Sequence, residues 1–182
     1  MPITATRAIS RLSWSDFAVV RPPLVDPADG HRVDAYTAFS WELPDRPPQV
    51  IDGQLALNQN NALRIRPSDG ATPPGRPKVT RGTSQTDALL AHEQFHYDVG
   101  FVIARVVARN LMALRKPDRA SMITAIRQLT HFHFRTRASL IQSRYDADSR
   151  HGTNSTYQRI WKQKMASCLA NPRATKLGGF WL

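Results

Sequence analysis

Residues 88–114, ALLAHEQFHYDVGFVIARVVARNLMAL, contain no proline, and their pattern decides how the rest of the chain is read. Apolar side chains recur at Leu89, Leu90, Phe95, Val99, Val102, Ile103, Val106, Val107 and Leu111. That three- and four-residue spacing is the signature of one long helix with a buried stripe. Ser84 or Thr86 can cap its start, and Asp87 suits the positive end of the helix dipole. Pro117 ends it, because the residue before a proline avoids the helical region.

Downstream, Asp118 is placed to cap a second helix over Arg119–Ser143, followed by a polar loop that closes on HGTNS at 151–155. A third helix is expected from Asn154 or Ser155 to Leu169, with Ile160, Trp161, Met165 and Leu169 facing inward; Asn171-Pro172 stops it. The tail Lys176–Leu182, KLGGFWL, is apolar enough to dock on the body.

Upstream the texture changes. Eleven of the thirteen prolines precede residue 80, and the patches Pro44–Pro48 and Pro67–Pro77 exclude helix and central strand there. Between them Asp34–Leu43 and Gln54–Ile65 read as extended, the second broken by a turn at its Asn-rich centre; Leu12–Phe17 reads as a strand or a docked turn. Gly70–Gly82 reads as a loop that borders a cleft or moves. Sheet first and helices after is an α+β pattern: a small N-terminal antiparallel sheet followed by three helices. A single domain over 1–182 is expected, sheet- and loop-rich over 1–83 and helical over 84–182.

Composition bounds the function. The chain has 182 residues, 41% of them hydrophobic and 21% charged, which suits one well-buried domain. Its apolar runs are too short to span a bilayer. The opening residues carry Arg7 with no apolar stretch after it, so no signal peptide is expected in the chain as it stands. Cys168 is the sole cysteine, which rules out an internal disulfide and a cysteine-rich metal site. The net charge of +11 is lopsided: residues 1–90 hold ten basic and nine acidic side chains, residues 91–182 fifteen and five. The second half thus has the charge to face an anionic partner.

Within the long helix, His92-Glu93-Gln94-Phe95-His96 is an H-E-x-x-H sequence. Residues i and i+4 share a helix face, so both imidazoles can reach one ion. Glu93 sits one residue round, where it can act as general base on a metal-activated water without being a ligand. Only two glutamates occur in the chain, Glu42 and Glu93, and one of them falls between the paired histidines. A buried Glu beside two histidines is costly unless a charge compensates it, and a divalent cation such as Zn2+ does so.

A catalytic zinc takes a third protein ligand. His131, His133, Asp146, Asp148 and His151 are the candidates. If the second helix returns antiparallel to the first, it comes level with His92 near residue 144, given a rise of about 1.5 Å per residue. His131 and His133 then fall too far away and read as structural or surface residues. His151 is the first choice for the third ligand, with Asp146 or Asp148 the alternatives. One of these aspartates, or Asp98, could instead orient a ligand histidine. Tyr145 is the preferred stabiliser of the tetrahedral intermediate, with Tyr157 and Arg150 as alternatives.

Three segments carry a resemblance. Leu12-Ser13-Trp14-Ser15-Asp16-Phe17 fits an L-x-W-x-D-F pattern, Leu90–Asp98 an H-E-Q-x-H-x-D core, and Tyr145–Gly152 followed by Trp161 a Y-D-x-x-T-x-H-G segment. In this order they resemble the domain of unknown function 922 family of bacterial zinc-dependent peptidases. Ser149 stands where that family has Thr, and Phe95 where it often has Gly. The resemblance implies a zincin-like metallopeptidase domain, with His92 and His96 as zinc ligands, Glu93 as base and His151 as third ligand. It also implies a peptide or protein substrate and a secreted or periplasmic location.

The expected function is therefore a monomeric zinc metallopeptidase, an endopeptidase. Its rival is a basic module that binds nucleic acid or an anionic surface and holds a structural or non-catalytic metal. No nucleic-acid recognition motif accompanies the arginines.

Overall fold

A computed structural model describes residues 3–43, 46–58 and 61–182. The described residues form twelve short strands and four α-helices. The strands are β1 (Thr4–Arg7), β2 (Ala18–Val20), β3 (Leu24–Val25), β4 (Arg32–Val33), β5 (Ala35–Tyr36), β6 (Ala38–Glu42), β7 (Gln49–Ile51), β8 (Gln54–Ala56), β9 (Ala62–Ser68), β10 (Lys78–Thr80), β11 (Lys176–Leu177) and β12 (Phe180–Trp181). The helices are α1 (Asp87–Ala113), α2 (Arg119–His131), α3 (Ala138–Ser149) and α4 (Ser155–Ala170). A π turn over Phe132–Arg137 joins α2 to α3 without a break. The three expected helices are thus α1, the continuous rod 119–149, and α4, on an α+β plan with the sheets at the N-terminal end.

Helix α1 starts where its cap chemistry puts it. Thr86 Oγ1 accepts from Leu89 N at 3.1 Å, and Asp87 occupies the first turn. Asp118 caps α2 through Ser121 N at 2.8 Å, and Asn154 caps α4 through Tyr157 N at 3.3 Å. The second rod runs six residues past the expected Ser143. No proline or glycine interrupts 118–151, and the helix ends only where Arg150, His151 and Gly152 take left-handed backbone, with φ 50, 49 and 87°. Tyr145, Asp146 and Asp148 therefore sit on the last turns of a helix rather than in the polar loop.

The antiparallel sheet expected of the first half appears, among the described residues, as four antiparallel pairings: β3–β4 and β7–β8 stand alone, while β6–β9 and β5–β10 grow into sheets. Each of the last two gains a parallel strand, so that the orders are β1-β9-β6 and β2-β10-β5. Two readings are corrected here. Pro67 lies within β9, the central strand, but β1 pairs only with residues 62–65, so at Pro67 only β6 is a partner and the missing N–H breaks no ladder. The 70–82 loop also contains a strand, β10, because Val79 is buried between β2 and β5. Leu12–Phe17 is a docked turn, a short 3-10 helix over Trp14–Asp16 with Leu12 and Phe17 buried. The turn read near 58–61 has Asn61 N donating to Asn58 O at 3.2 Å. Gln59 and Asn60 lie outside the described residues, as do Pro44 and Asp45 of the first proline patch.

The core draws on both halves. Ile3, Leu63 and Ile65 of the sheet side meet Val99, Val102, Ile103 and Val107 of α1, while Ile141, Trp161, Met165, Leu177 and Leu182 close the other side. Tyr97 ties α1 to the sheet, donating its hydroxyl to Ile9 O and Ile65 O, both at 3.1 Å. Arg7 of β1 pairs with buried Asp98 at 2.6 Å, which assigns Asp98 to a salt bridge rather than to the histidines. Arg105 and Arg109 donate to carbonyls of Leu169, Pro172 and Ala174 at the end of α4, where a cation suits the dipole. The tail docks as the β11–β12 hairpin, and Arg137 donates to Leu182 O.

Gly100 is the contact that sets α1 against β6. A Cβ there would lie 2.4 Å from the Phe39 ring. Overpacking of that kind costs about 1–3 kcal/mol, more than the gain of up to about 1 kcal/mol from replacing a helical glycine. Gly100→Ala is expected to lower Tm by about 2–4 °C for a net loss of about 1 kcal/mol, as read by thermal denaturation; an unchanged or raised Tm would contradict this packing.

Candidate metal centre

The periodicity of α1 turns His92 and His96 toward the rod 119–149, with Glu93 one residue round toward Thr37, and all three are buried. That rod returns antiparallel and comes level with them close to the expected residue 144: Gln142 and Asp146 stand one helical turn apart opposite His96. His96 Nε2 is 3.1 Å from His92 Nε2, and Asp146 Oδ1 is 3.1 Å from His96 Nε2 and 3.3 Å from His92 Nε2.

These three distances test the fit to a metal. Ligands about 2.0–2.1 Å from a tetrahedral zinc stand roughly 3.3 Å from one another, which is the observed triangle. Asp146 Oδ1 is buried and makes no regular hydrogen bond despite its two imidazole neighbours. His96 Nδ1 lies 3.2 Å from Gln142 Oε1. With the proton on Nδ1 donated to that amide oxygen, the Nε2 lone pair is left facing the triad. The buried His92, His96 and Asp146 are thus positioned to chelate Zn2+.

Electrostatics agrees. Burial pulls the His92 imidazole down to about 4, so it is neutral at neutral pH. Burial also acts against a charged His96, but the Asp146 carboxylate outweighs it and carries the group up to about 9. Burial pushes the Asp146 carboxyl up too, but the adjoining imidazoles hold it well below the usual carboxylate range. The triad stabilises a positive charge on His96, so a dication would bind by displacing that proton from Nε2.

Glu93 is 2% exposed and flanks the triad, with Oε2 lacking a hydrogen-bond partner among the described residues. Burial pushes its carboxyl up to about 7, against the pull of His96 and of Thr37, which faces it from between β5 and β6. A carboxyl balanced near neutrality is suited to taking and returning a proton.

The triad and Glu93 open into a cleft of about 690 Å³. Edge strand β6 forms one wall with Ala38, Phe39, Ser40 and Trp41. Gly70, Ala71, Thr72 and Pro74 of the 70–82 loop border it, as one of the two readings of that loop had it.

The remaining candidates take distinct places. His151 also lines the cleft, but among the described residues the group that closes on both His92 and His96 includes Asp146 instead; His151 converges with Asp26 and Asp146. Asp148 accepts from Trp161 Nε1 and pairs with Arg144, away from the triad. Tyr145 is buried as a packing floor, its ring stacked between His92 at 4.9 Å and Phe95 at 3.8 Å. Tyr157 and Arg150 are exposed. His131 is exposed, and His133 is buried against Asn110, at 3.2 Å, away from the cleft.

Sequence reasoning missed Tyr36, Thr37, Gln142 and Asp26. Tyr36 lines the cleft, and burial together with Asp26 and Glu93 pushes its phenol up to about 12, so it remains a donor. No motif marks Tyr36, Thr37 or Asp26. Gln142 had a signal, since it lies four residues before Asp146 on one face of the same helix.

No protein-family model, curated protein or solved structure matches the chain. The geometry alone assigns a zincin-like fold carrying the His/His/Asp site and adjacent glutamate of a metal-dependent hydrolase.

Asp146→Ala and His96→Ala are each expected to abolish zinc retention, measured by elemental analysis of tag-free protein. Gln142→Ala is expected to keep the zinc but weaken its affinity about 10–100-fold, as read by chelator competition. Zinc held undiminished by Asp146→Ala would remove Asp146 from the ligand set.

Proposed function

We propose that this chain is a zinc-dependent endopeptidase of the domain of unknown function 922 family. The observation that carries the catalytic part is the buried triangle of His92 Nε2, His96 Nε2 and Asp146 Oδ1 at 3.1–3.3 Å, with Glu93 beside it. The family part is supported by the convergence of the three resembling segments. Leu12 N donates to Gln94 Oε1 at 2.7 Å, which docks the first segment on the H-E-x-x-H helix. Tyr145 and Asp146 of the third segment pack against His92 and His96. The same reading carries an exported location.

His92, His96 and Asp146 would hold the zinc, which would supply Lewis acidity toward a carbonyl oxygen and lower the pKa of a water. Glu93 takes the water's proton on its carboxylate and returns it to the leaving amine. Tyr36, rather than Tyr145, presents its hydroxyl in the cleft as a donor to the oxygen that gains charge. Edge strand β6 offers unpaired backbone groups along the cleft, so an extended peptide adds to it as a further strand. Trp41, stacked on Phe134 at 5.3 Å, gives that groove an aromatic wall.

Glu93→Gln is expected to retain zinc and to lower cleavage of a peptide library by about 10²–10⁴-fold. Tyr36→Phe is expected to reduce kcat with little change in KM. Cleavage by Glu93→Gln at the wild-type rate, or no cleavage of any peptide by the zinc-loaded wild type, would overturn the peptidase reading.

A further inference from the structure

We propose that Asp26, His151 and Asp146 form a second divalent-cation site, with Asp146 bridging to the ion held by His92 and His96. The inference rests on the metal reading of that first triad, whose Asp146 it shares.

One ligand atom each from Asp26, Asp146 and His151 lie within 4.8 Å of one another, on the wall of the same cleft. Asp26 and Asp146 are each only 8% exposed. With Glu93 they make three buried carboxylates around one space, and among the described residues none has a Lys or Arg within 4.0 Å. Asp146 Oδ1 is buried against His92 Nε2 and His96 Nε2 at 3.3 and 3.1 Å, so the same carboxylate belongs both to that triad and to the group with Asp26 and His151. A carboxylate has two oxygens and can face two ions at once.

Both loops that bring the new ligands are fixed. Asp26 opens the β3–β4 turn: its backbone N donates to His31 O, Gly30 N donates to its carbonyl, both at 2.9 Å, and Ala28 N donates to its Oδ1 at 2.8 Å. Its second oxygen is left for a ligand role. His151 N donates to Asp146 O at 3.0 Å, which ties the two ligands together through the backbone. The His151 ring packs against His31, centroids 5.1 Å apart, and its Nε2 lies 3.4 Å from Asp29 Oδ2. To reach this position the chain holds two successive non-glycine residues, Arg150 and His151, at positive φ, a conformation that persists where the surroundings over-determine it. Gly152 follows because a Cβ there would stand 3.1 Å from the His92 ring. The donor set of one imidazole and two carboxylates suits a first-row dication such as zinc or manganese.

The test is zinc stoichiometry of the stripped, tag-free full chain, by isothermal titration and by elemental analysis after dialysis. Wild type is expected to take two zinc ions, and Asp26→Asn and His151→Ala one each. His31 and Asp29 form an exposed group of their own with His151, so His31→Ala is the control for it: the variant is expected to keep two ions, and loss of one there with both kept by Asp26→Asn would overturn the site. Cobalt is a second probe that does not depend on the variants: the second equivalent should couple to the first and attenuate its paramagnetic resonance signal. Saturation of the wild type at one ion, with that ion kept by His151→Ala, overturns the second site and leaves the first intact. One ion in wild type and none in His151→Ala overturns it by making His151 a ligand of the single ion. No ion in wild type overturns the first triad as well.

Discussion

The molecule turns on one electrostatic constraint: a carboxylate and two imidazoles face one another at hydrogen-bond distance in a buried seam between α1 and α3. Side chains of this kind are stable out of water only when paired with charge. The surrounding packing therefore serves to hold three donor atoms at the separation a small cation requires. Tyr145 and Phe95 stack behind His92, Gln142 anchors the far nitrogen of His96, and the helix cap at Thr86 keeps the first turns of α1 in register.

The sheet side contributes position rather than ligands to this triad. Phe39 against Gly100, Arg7 against Asp98 and Tyr97 against two carbonyls clamp α1 to the β1-β9-β6 sheet. That clamp puts the edge strand β6 beside the metal centre, so the cleft has a backbone-lined wall facing Glu93. No helix among the described residues is long and apolar enough to cross a membrane.

The uneven charge has a partly internal explanation. Arg105, Arg109 and Arg137 donate to main-chain carbonyls at the end of α4 and at the chain's last residue, and Arg7 neutralises Asp98. Guanidinium groups serve this purpose well because they offer several donors and remain charged when half-buried. These arginines act as ties between elements, which weakens the case for a module defined by its basic surface.

The long helix, its cap, the pairing of His92 with His96 and the placement of Glu93 were all legible from residue order, because they depend on local periodicity and spacing of three or four residues. Residue order also determined the length of the return path, so the arrival of a third ligand near residue 144 could be read from helix rise alone. Which side chain arrives was decided only by the tertiary structure. Asp146 rather than His151 closes the triangle because the second helix continues to Ser149, and six extra helical residues rotate Asp146 onto the face of α1 while sending His151 beyond it. Tyr36, Thr37 and Asp26 were illegible for a different reason. They come from strands and turns far away in sequence, and only the packing of β5 and the β3–β4 turn over α1 makes them neighbours of the histidines.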